Sequence, residues 1–305
     1  MKKLHVGVVG VGHIGSNHAR IYSELPNAEL VAILDIDLAR ADEIGAKYKA
    51  KAAASLNEFA GMVDAASIAT PTSVHFPIAR DLLAQGKHLL IEKPITEKTS
   101  DARDLAQVAA EKELVLQVGH VERFNPVLNA LEQRLTHPRF IEAHRLSPYP
   151  NRSKEIGVVL DLMIHDLEII LHLVNSTVET IDAVGVPVLS RGEDIANARL
   201  RFASGCIANV TSSRISPEKM RKIRVFQEDA YLSLDYQGQS GEIYRRVDGQ
   251  IMREPVAIEK EEPLRQQLAS FVDCALTGGE PRVSGSHAAA ALELAVEITR
   301  RIAAN

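Results

Sequence analysis

Residues 6–20, VGVVGVGHIGSNHAR, constrain this chain more than any other stretch. A short apolar run, Leu4–Val9, enters a segment with glycines at positions 10, 12 and 15, and amphipathic spacing follows. That order asks for a strand, a tight turn with bare backbone, and a helix pressed against the strand. The alternation then continues. Further strands are expected at Leu30–Asp35, Ala65–Ala69, His88–Glu92 and Val115–Val118, with helices near 13–24, 38–48, 76–85 and 99–112. Gly86 stands where a helix should stop in a left-handed residue. Short strands apolar on both faces, separated by helices, imply a parallel sheet covered on both sides.

The glycine spacing also implies a ligand. Gly10, Gly12 and Gly15, with His13 and Ile14 between them, open a helix whose first N–H groups and dipole suit a pyrophosphate. Glycines at this spacing can also serve only to turn a chain. Asp35 changes the balance, because it ends the second strand twenty residues after Gly15, where a carboxylate can accept from an adenosine ribose diol. The reading is a Rossmann-type dinucleotide site. Asp35 would repel a 2′-phosphate and Ile36 offers no cation, so NAD is favoured over NADP. Arg40 either softens that preference or is a solvated helix residue.

After about residue 123 the texture changes. One helix is expected over Asp161–Val174, followed by long alternating strands in TIDAVGVPVL, ANARLRFASGCIANVTSSRI, RKIRVFQEDAYLSLDY and GEIYRRVDGQIMREPVAIE. Apolar–polar alternation with Ser204-Gly205 and Asp248-Gly249 turns reads as an open, mainly antiparallel sheet with one covered face. Helices at about 264–276 and 286–303 close the chain. At 305 residues there is material for two cores. The expected division is a dinucleotide-binding α/β domain, 1–122, and a substrate-binding and oligomerisation α+β domain, 123–305, with the last helix packing back on the first domain.

Bulk properties exclude several classes. A net charge of −5 with no basic block argues against a nucleic-acid partner. Cys206 and Cys274 lack any C-x-x-C spacing, which argues against a disulfide framework or zinc–thiolate site and suits a reducing cytoplasm. The N-terminal apolar run is short and broken by glycine, unlike a signal peptide, and no segment approaches the ~20 apolar residues of a membrane span.

The stretch HLLIEKPIT, residues 88–96, places an acid, a base and a proline where a parallel strand opens toward its ligand crevice. Polar strand ends are common, and proline ends strands. The wider context decides the matter. The glycine loop, Thr70-Pro71 with His75, Glu92-Lys93-Pro94, QVGHVERFNP at 117–126, and Asp161-x-x-x-His165 together resemble the glucose–fructose oxidoreductase/inositol dehydrogenase (Gfo/Idh/MocA) family over nearly the whole chain. The resemblance implies that Glu92 contacts the nicotinamide ribose and Lys93 faces the reacting alcohol, with a cis bond before Pro94. It also places Thr70, Pro71, His75, Gln117 and Arg123 on the cofactor side; the alternative for Arg123 is a pair with a surface carboxylate.

Asp161 and His165 are four apart, on one helical face. Spacing alone fits an N-cap and an amphipathic-face residue equally well. By the resemblance, the aspartate binds a substrate hydroxyl and the histidine, which titrates near neutrality, is the base. Tyr149 and Arg152, with His144, Arg145 and Asn151, either reach substrate or form strand and loop surface. His172 could join Asp161 at a metal, but no third ligand has suitable spacing, so no metal is expected. One departure from the family is the single glycine in KEIGVV, where members often carry a cluster.

The resulting expectation is an NAD-dependent dehydrogenase, with catalytic residues Lys93, Asp161 and His165, acting on a secondary alcohol of a sugar, cyclitol or nucleotide sugar. VGHVERFNP with the segment through 174 resembles bacterial members that oxidise the carbon-3 hydroxyl of UDP-N-acetylhexosamines. The rivals are an NAD-dependent glycoside hydrolase of the same fold and a non-catalytic NAD-binding regulator. A cytoplasmic homodimer or homotetramer, assembled through the C-terminal sheet, completes the reading.

Overall fold

The structure, a computed structural model, describes residues 3–149 and 156–304. It divides into two compact units, Met1–Val121 with Leu264–Ala289, and Glu122–Pro263 with Ala290–Asn305.

The first unit holds β1 (Leu4–Val9), α1 (His13–Glu24), β2 (Ala28–Leu34), α2 (Leu38–Tyr48), β3 (Lys51–Ala52), α3 (Leu56–Met62), β4 (Ala65–Ile68), α4 (His75–Ala84), β5 (His88–Ile91), α5 (Thr99–Glu111) and β6 (Leu116–Val118). All strand pairs are parallel, in the order β3-β2-β1-β4-β5-β6. The order reverses between β1 and β4, which creates the crevice at their carboxyl ends where such sheets bind ligands. Caps are local: Asp37 accepts from Arg40 N–H at the start of α2, and Ser55 from Glu58 N–H at the start of α3.

The second unit begins with α6 (Pro126–Glu132), capped by Asn125, and β7 (Phe140–Leu146). A π turn, Val159–Met163, runs into α7 (Ile164–Val174). Then come β8 (Val178–Val186), β9 (Ile195–Phe202), β10 (Ile207–Ser213), β11 (Met220–Phe226), β12 (Ala230–Asp235), β13 (Ser240–Val247) and β14 (Gln250–Pro255). The sheet order is β14-β13-β12-β11-β7-β10-β9-β8, antiparallel except for the β7–β10 pair. Alternation sends Ile141, Ala143, Val225, Leu232, Leu200 and Val210 inward, where α6 and α7 pack on the sheet. The opposite face carries polar pairs such as Arg224–Glu142 and Arg199–Asn209.

Two helices end the chain, α8 (Pro263–Thr277) and α9 (Gly285–Ala304). The sequence suggests α8 as part of the second domain, yet Leu268, Phe271 and Val272 lie fully buried in the same core as Val6, Val8 and Ile21. The apolar stripe of α8 fills the first unit. α9 starts in that unit and ends in the other.

His88 supplies a pH dependence. Its Nδ1 accepts from Val115 N–H at 3.0 Å, and burial holds its pKa below the ordinary 6.5 despite nearby Asp64. The folded chain therefore keeps His88 neutral where the unfolded chain takes up a proton. Its contribution to stability is complete above pH 6.5 and is lost as pH falls below it. Urea unfolding at about pH 5 and about pH 8 should show this loss, reduced in His88→Asn.

Candidate active site

The crevice of the first unit is built around Gly10. Its φ of +84° turns the chain out of β1, and a Cβ there would meet Ala69 backbone at 2.9 Å. A Cβ on Gly15 would fall 1.8 Å from Gly10 O, so only glycine lets α1 approach β1 so closely. A Cβ on Gly12 would meet nothing within 4 Å, which leaves open space over the loop. Gly12 caps α1 without a side-chain bond, and the first turn holds no acid. The helix N-terminus thus keeps its N–H groups and positive dipole end for an external anion. Nearby, the buried hydroxyl of Thr70 makes no hydrogen bond among the described residues. This arrangement fits a dinucleotide pyrophosphate.

Asp35 lies just past β2, and it does more than wait for a ribose. Its Oδ2 accepts from Val11 N–H at 2.7 Å and its Oδ1 from Asp37 N–H at 2.9 Å. The acid thereby holds the glycine loop, with lone pairs left for a diol. Ile36 is fully exposed beside it. The Arg40 guanidinium lies 3.5 Å from Asp37, half exposed, so this cation is already engaged by a carboxylate.

The turn after β5 is held from several sides. Lys93–Pro94 is cis. Glu92 Oε1 lies 3.3 Å from Nε2 of the fully buried His18, Oε2 accepts from Lys93 N–H, and Gly119 packs so close that a Cβ would meet Glu92 Oε1 at 2.7 Å. His75 is buried, with Nδ1 3.0 Å from Pro94 O and Nε2 2.8 Å from Thr70 O. It staples the loop after β4, with Thr70 and Pro71, to the turn after β5. Lys93 is half-buried. Gln117, expected near cofactor, is fully buried and donates to Gln267 O on α8.

In the second unit Asp161 sits in the middle of the π turn rather than at an N-cap, and His165 lies in the first turn of α7; both are half-buried. Their neighbours on α7 anchor it. Arg145, buried on β7, takes Asp166 bidentately at 2.8 and 3.0 Å and Glu122 at 3.0 Å. Burial opposes the Arg145 charge, but Asp166 and Glu122 outweigh it and raise its pKa. Arg123 is likewise interior: it pairs with buried Glu168 at 3.3 Å, not with a surface carboxylate. His172 is paired with Glu132 at 3.0 Å. Tyr149 and His144 are half-buried, whereas Asn151 and Arg152 lie outside the described residues. No group of three metal-ligating side chains occurs among the described residues.

His18, Gly119, Glu193, Asp194 and Arg214 also hold these loops and turns, through contacts that no local motif announces. Only His18 carried a signal, falling on the buried face of α1 with Gly15, Ala19 and Tyr22.

Comparison with known proteins extends the picture. The model for an oxidoreductase family with an NAD-binding Rossmann fold (GFO_IDH_MocA) matches residues 4–120, and that for the GFO/IDH/MocA C-terminal domain matches 131–233. UDP-N-acetylglucosamine 3-dehydrogenase of Acidithiobacillus ferrooxidans is 36% identical over 90% of this chain and 89% of its own. The NAD(+)-dependent scyllo-inositol 2-dehydrogenase of Bacillus subtilis is 26% identical over 70% of this chain and 68% of its own. A solved structure of the Acidithiobacillus enzyme superposes with a TM-score of 0.95 at 34% identity, covering 100% of this chain and 99% of that one. Levoglucosan dehydrogenase, solved with NADH and levoglucosan, shares the fold at a TM-score of 0.91 and 16% identity, over 99% of this chain and 98% of that one.

The glycine contacts make a sharp prediction. Gly15→Ala should push α1 off β1 and weaken dinucleotide binding at least about tenfold, read by fluorescence titration.

Proposed function

The chain belongs to the Gfo/Idh/MocA oxidoreductase family, and from that premise we propose that it oxidises a nucleotide sugar with NAD, the leading substrate being the carbon-3 hydroxyl of a UDP-N-acetylhexosamine. The observation that carries this reading is similarity to UDP-N-acetylglucosamine 3-dehydrogenase along almost the entire length of both chains. In this proposal the first unit binds cofactor and the second shapes the sugar site.

The amides of Gly12, His13, Ile14 and Gly15 would take the pyrophosphate beside Gly10, with Thr70, Pro71 and His75 forming the adjoining wall. Asp35 would take the adenosine ribose and Glu92 the nicotinamide ribose. Gln117, held by Gln267 O in the first unit, and Arg123, paired with Glu168 in the second, would complete the set of residues for the cofactor. NAD, when bound, supplies the hydride acceptor. Two acids, Asp35 and Asp37, with Ile36 exposed between them, favour NAD over NADP. His165 receives the hydroxyl proton as the carbinol C–H leaves with its electron pair and the C=O bond forms. Lys93 donates a hydrogen bond to the oxygen while negative charge develops there. Asp161 orients the imidazole or holds a neighbouring hydroxyl, and Tyr149 and Arg152 would extend the substrate wall.

Absorbance at 340 nm with UDP-N-acetylhexosamines, hexoses and inositols tests this. UDP-N-acetylhexosamine with NAD should react best, NADP should serve at least about tenfold less well, and Lys93→Met should lose about a hundredfold or more in kcat. Aryl-glycoside cleavage without accumulating NADH, or full activity in Lys93→Met, would overturn the assignment.

The open sheet face supports self-association. Phe140, Phe226, Tyr231 and Tyr244 form a cross-strand ladder with centroids 4.5–5.6 Å apart. Sedimentation at micromolar concentration should show a dimer or tetramer; a monomer would refute that. No helix among the described residues is long and apolar enough to cross a membrane, and a cytoplasmic setting suits the two free thiols.

A further inference from the structure

A π turn is rare, and single π turns within helices cluster at functional sites. Here the turn carries Asp161 and passes without a break into the helix bearing His165. Its wider winding changes the direction in which Asp161 leaves the axis relative to His165. Whatever holds the turn therefore sets the geometry of that pair.

The holding group lies in the loop before β9. Glu193 O accepts from Val158 N–H at 2.9 Å, and Glu193 Oε1 accepts from Val159 N–H at 3.2 Å. One residue thus satisfies two successive amides at the start of the turn, where Val158 provides no side-chain cap. Glu193 is buried, and its carboxylate faces the positive end of the helix dipole. Two glycines permit the approach. A Cβ on Gly157 would strike Glu193 Oε1 at 2.0 Å, and one on Gly192 would come within 3.1 Å of Gly157 Cα.

The loop itself is fixed from behind. Asp194 Oδ2 accepts from the N–H groups of Val188, Leu189 and Ser190. Its Oδ1 accepts from Ser190 Oγ at 2.5 Å and Arg214 Nε at 2.9 Å. Arg214 also donates to Ile156 O at 2.7 Å, which secures the residue before Gly157.

We propose that Glu193 is a positioning residue for the reaction: it holds the π turn and so fixes Asp161 relative to His165. This rests on the reading of Asp161 and His165 as the residues that handle the sugar.

The test compares Glu193→Ala and Glu193→Gln, each in the parent and in an Asp161→Asn background. Glu193→Ala should speed deuterium exchange across 158–163 and lower kcat for UDP-N-acetylhexosamine by roughly tenfold to a hundredfold, with the Kd for NAD unchanged. Glu193→Gln keeps a carbonyl acceptor for Val159 N–H and should restore most of both. In the Asp161→Asn background, Glu193→Ala should cost little more, because the two act through one group. Unchanged exchange and kcat in Glu193→Ala, a loss that adds in full to that of Asp161→Asn, or failure of the glutamine to rescue would each overturn the proposal. Should Glu193→Ala not fold, Glu193→Met fills the volume without an acceptor and gives the same comparison. If the parent protein oxidises no nucleotide sugar, the proposed function fails on its own. The exchange experiment then decides alone: faster exchange confined to the variants lacking the acceptor supports a holding role, and unchanged exchange refutes it.

Discussion

The first unit rests on how closely one helix approaches one strand. With Gly15 against the carbonyl of Gly10, α1 starts directly over the end of β1, and its unpaired amides face the space where β1 and β4 part. Asp35 then secures the same loop from the neighbouring strand by accepting from Val11 N–H. A single side-chain carbon at position 15 would separate these layers, move the amides and take the acid away from its donor. Packing and ligand chemistry are here one constraint, because the bare backbone that permits contact between helix and strand also leaves room for a pyrophosphate.

The second unit uses a different device. Asp166, Glu168 and Glu122 are buried, as are Arg145 and Arg123, and Arg214 with Asp194 forms a separate interior pair. Buried ion pairs add little net stability over apolar packing, since desolvation cancels much of the attraction. They do specify geometry, because a guanidinium shared by two carboxylates tolerates few alternative arrangements. Arg145 ties α7 to β7 through Asp166, next to His165, while Arg214 and Glu193 secure the turn that carries Asp161. Both ends of the segment proposed to handle the sugar are thus referenced to the sheet.

Elements with strong periodicity were legible from residues alone. β1 and α1 begin and end where the apolar pattern and glycines put them, and most other strands of the first unit shift by one or two residues. The two-residue β3 is too short to carry a period. α3 and α6 had signals that went unused: Ser55 three before Glu58 is a capping pattern, and Asn125-Pro126 is a cap followed by proline in the first helical position. Amphipathicity marks α8 as a helix with one buried stripe and not what covers that stripe, which Leu268, Phe271 and Val272 turn into the first unit rather than the second. Among the site residues, the glycine loop, Asp35 and the Glu92-Lys93-Pro94 turn were visible because local spacing defines them. The π turn was not, because a spacing of four suits an α-turn and a π turn alike. Helical spacing marks His18 as buried but not what it meets, and Glu193 carries no local pattern at all, since their partners lie 74 and 34 residues away in the chain.

His75 has a mechanical consequence. With one ring nitrogen 2.8 Å from Thr70 O and the other 3.0 Å from Pro94 O, the imidazole donates to one carbonyl in either tautomer and packs against the other, between two loops that the chain itself joins only through a helix and a strand. Because the ring is buried between them, a shift of either loop has to repack this shared side chain, which ties the two sides of the rim to one another. Adaptation to differently shaped guests would have to come from elsewhere in the molecule.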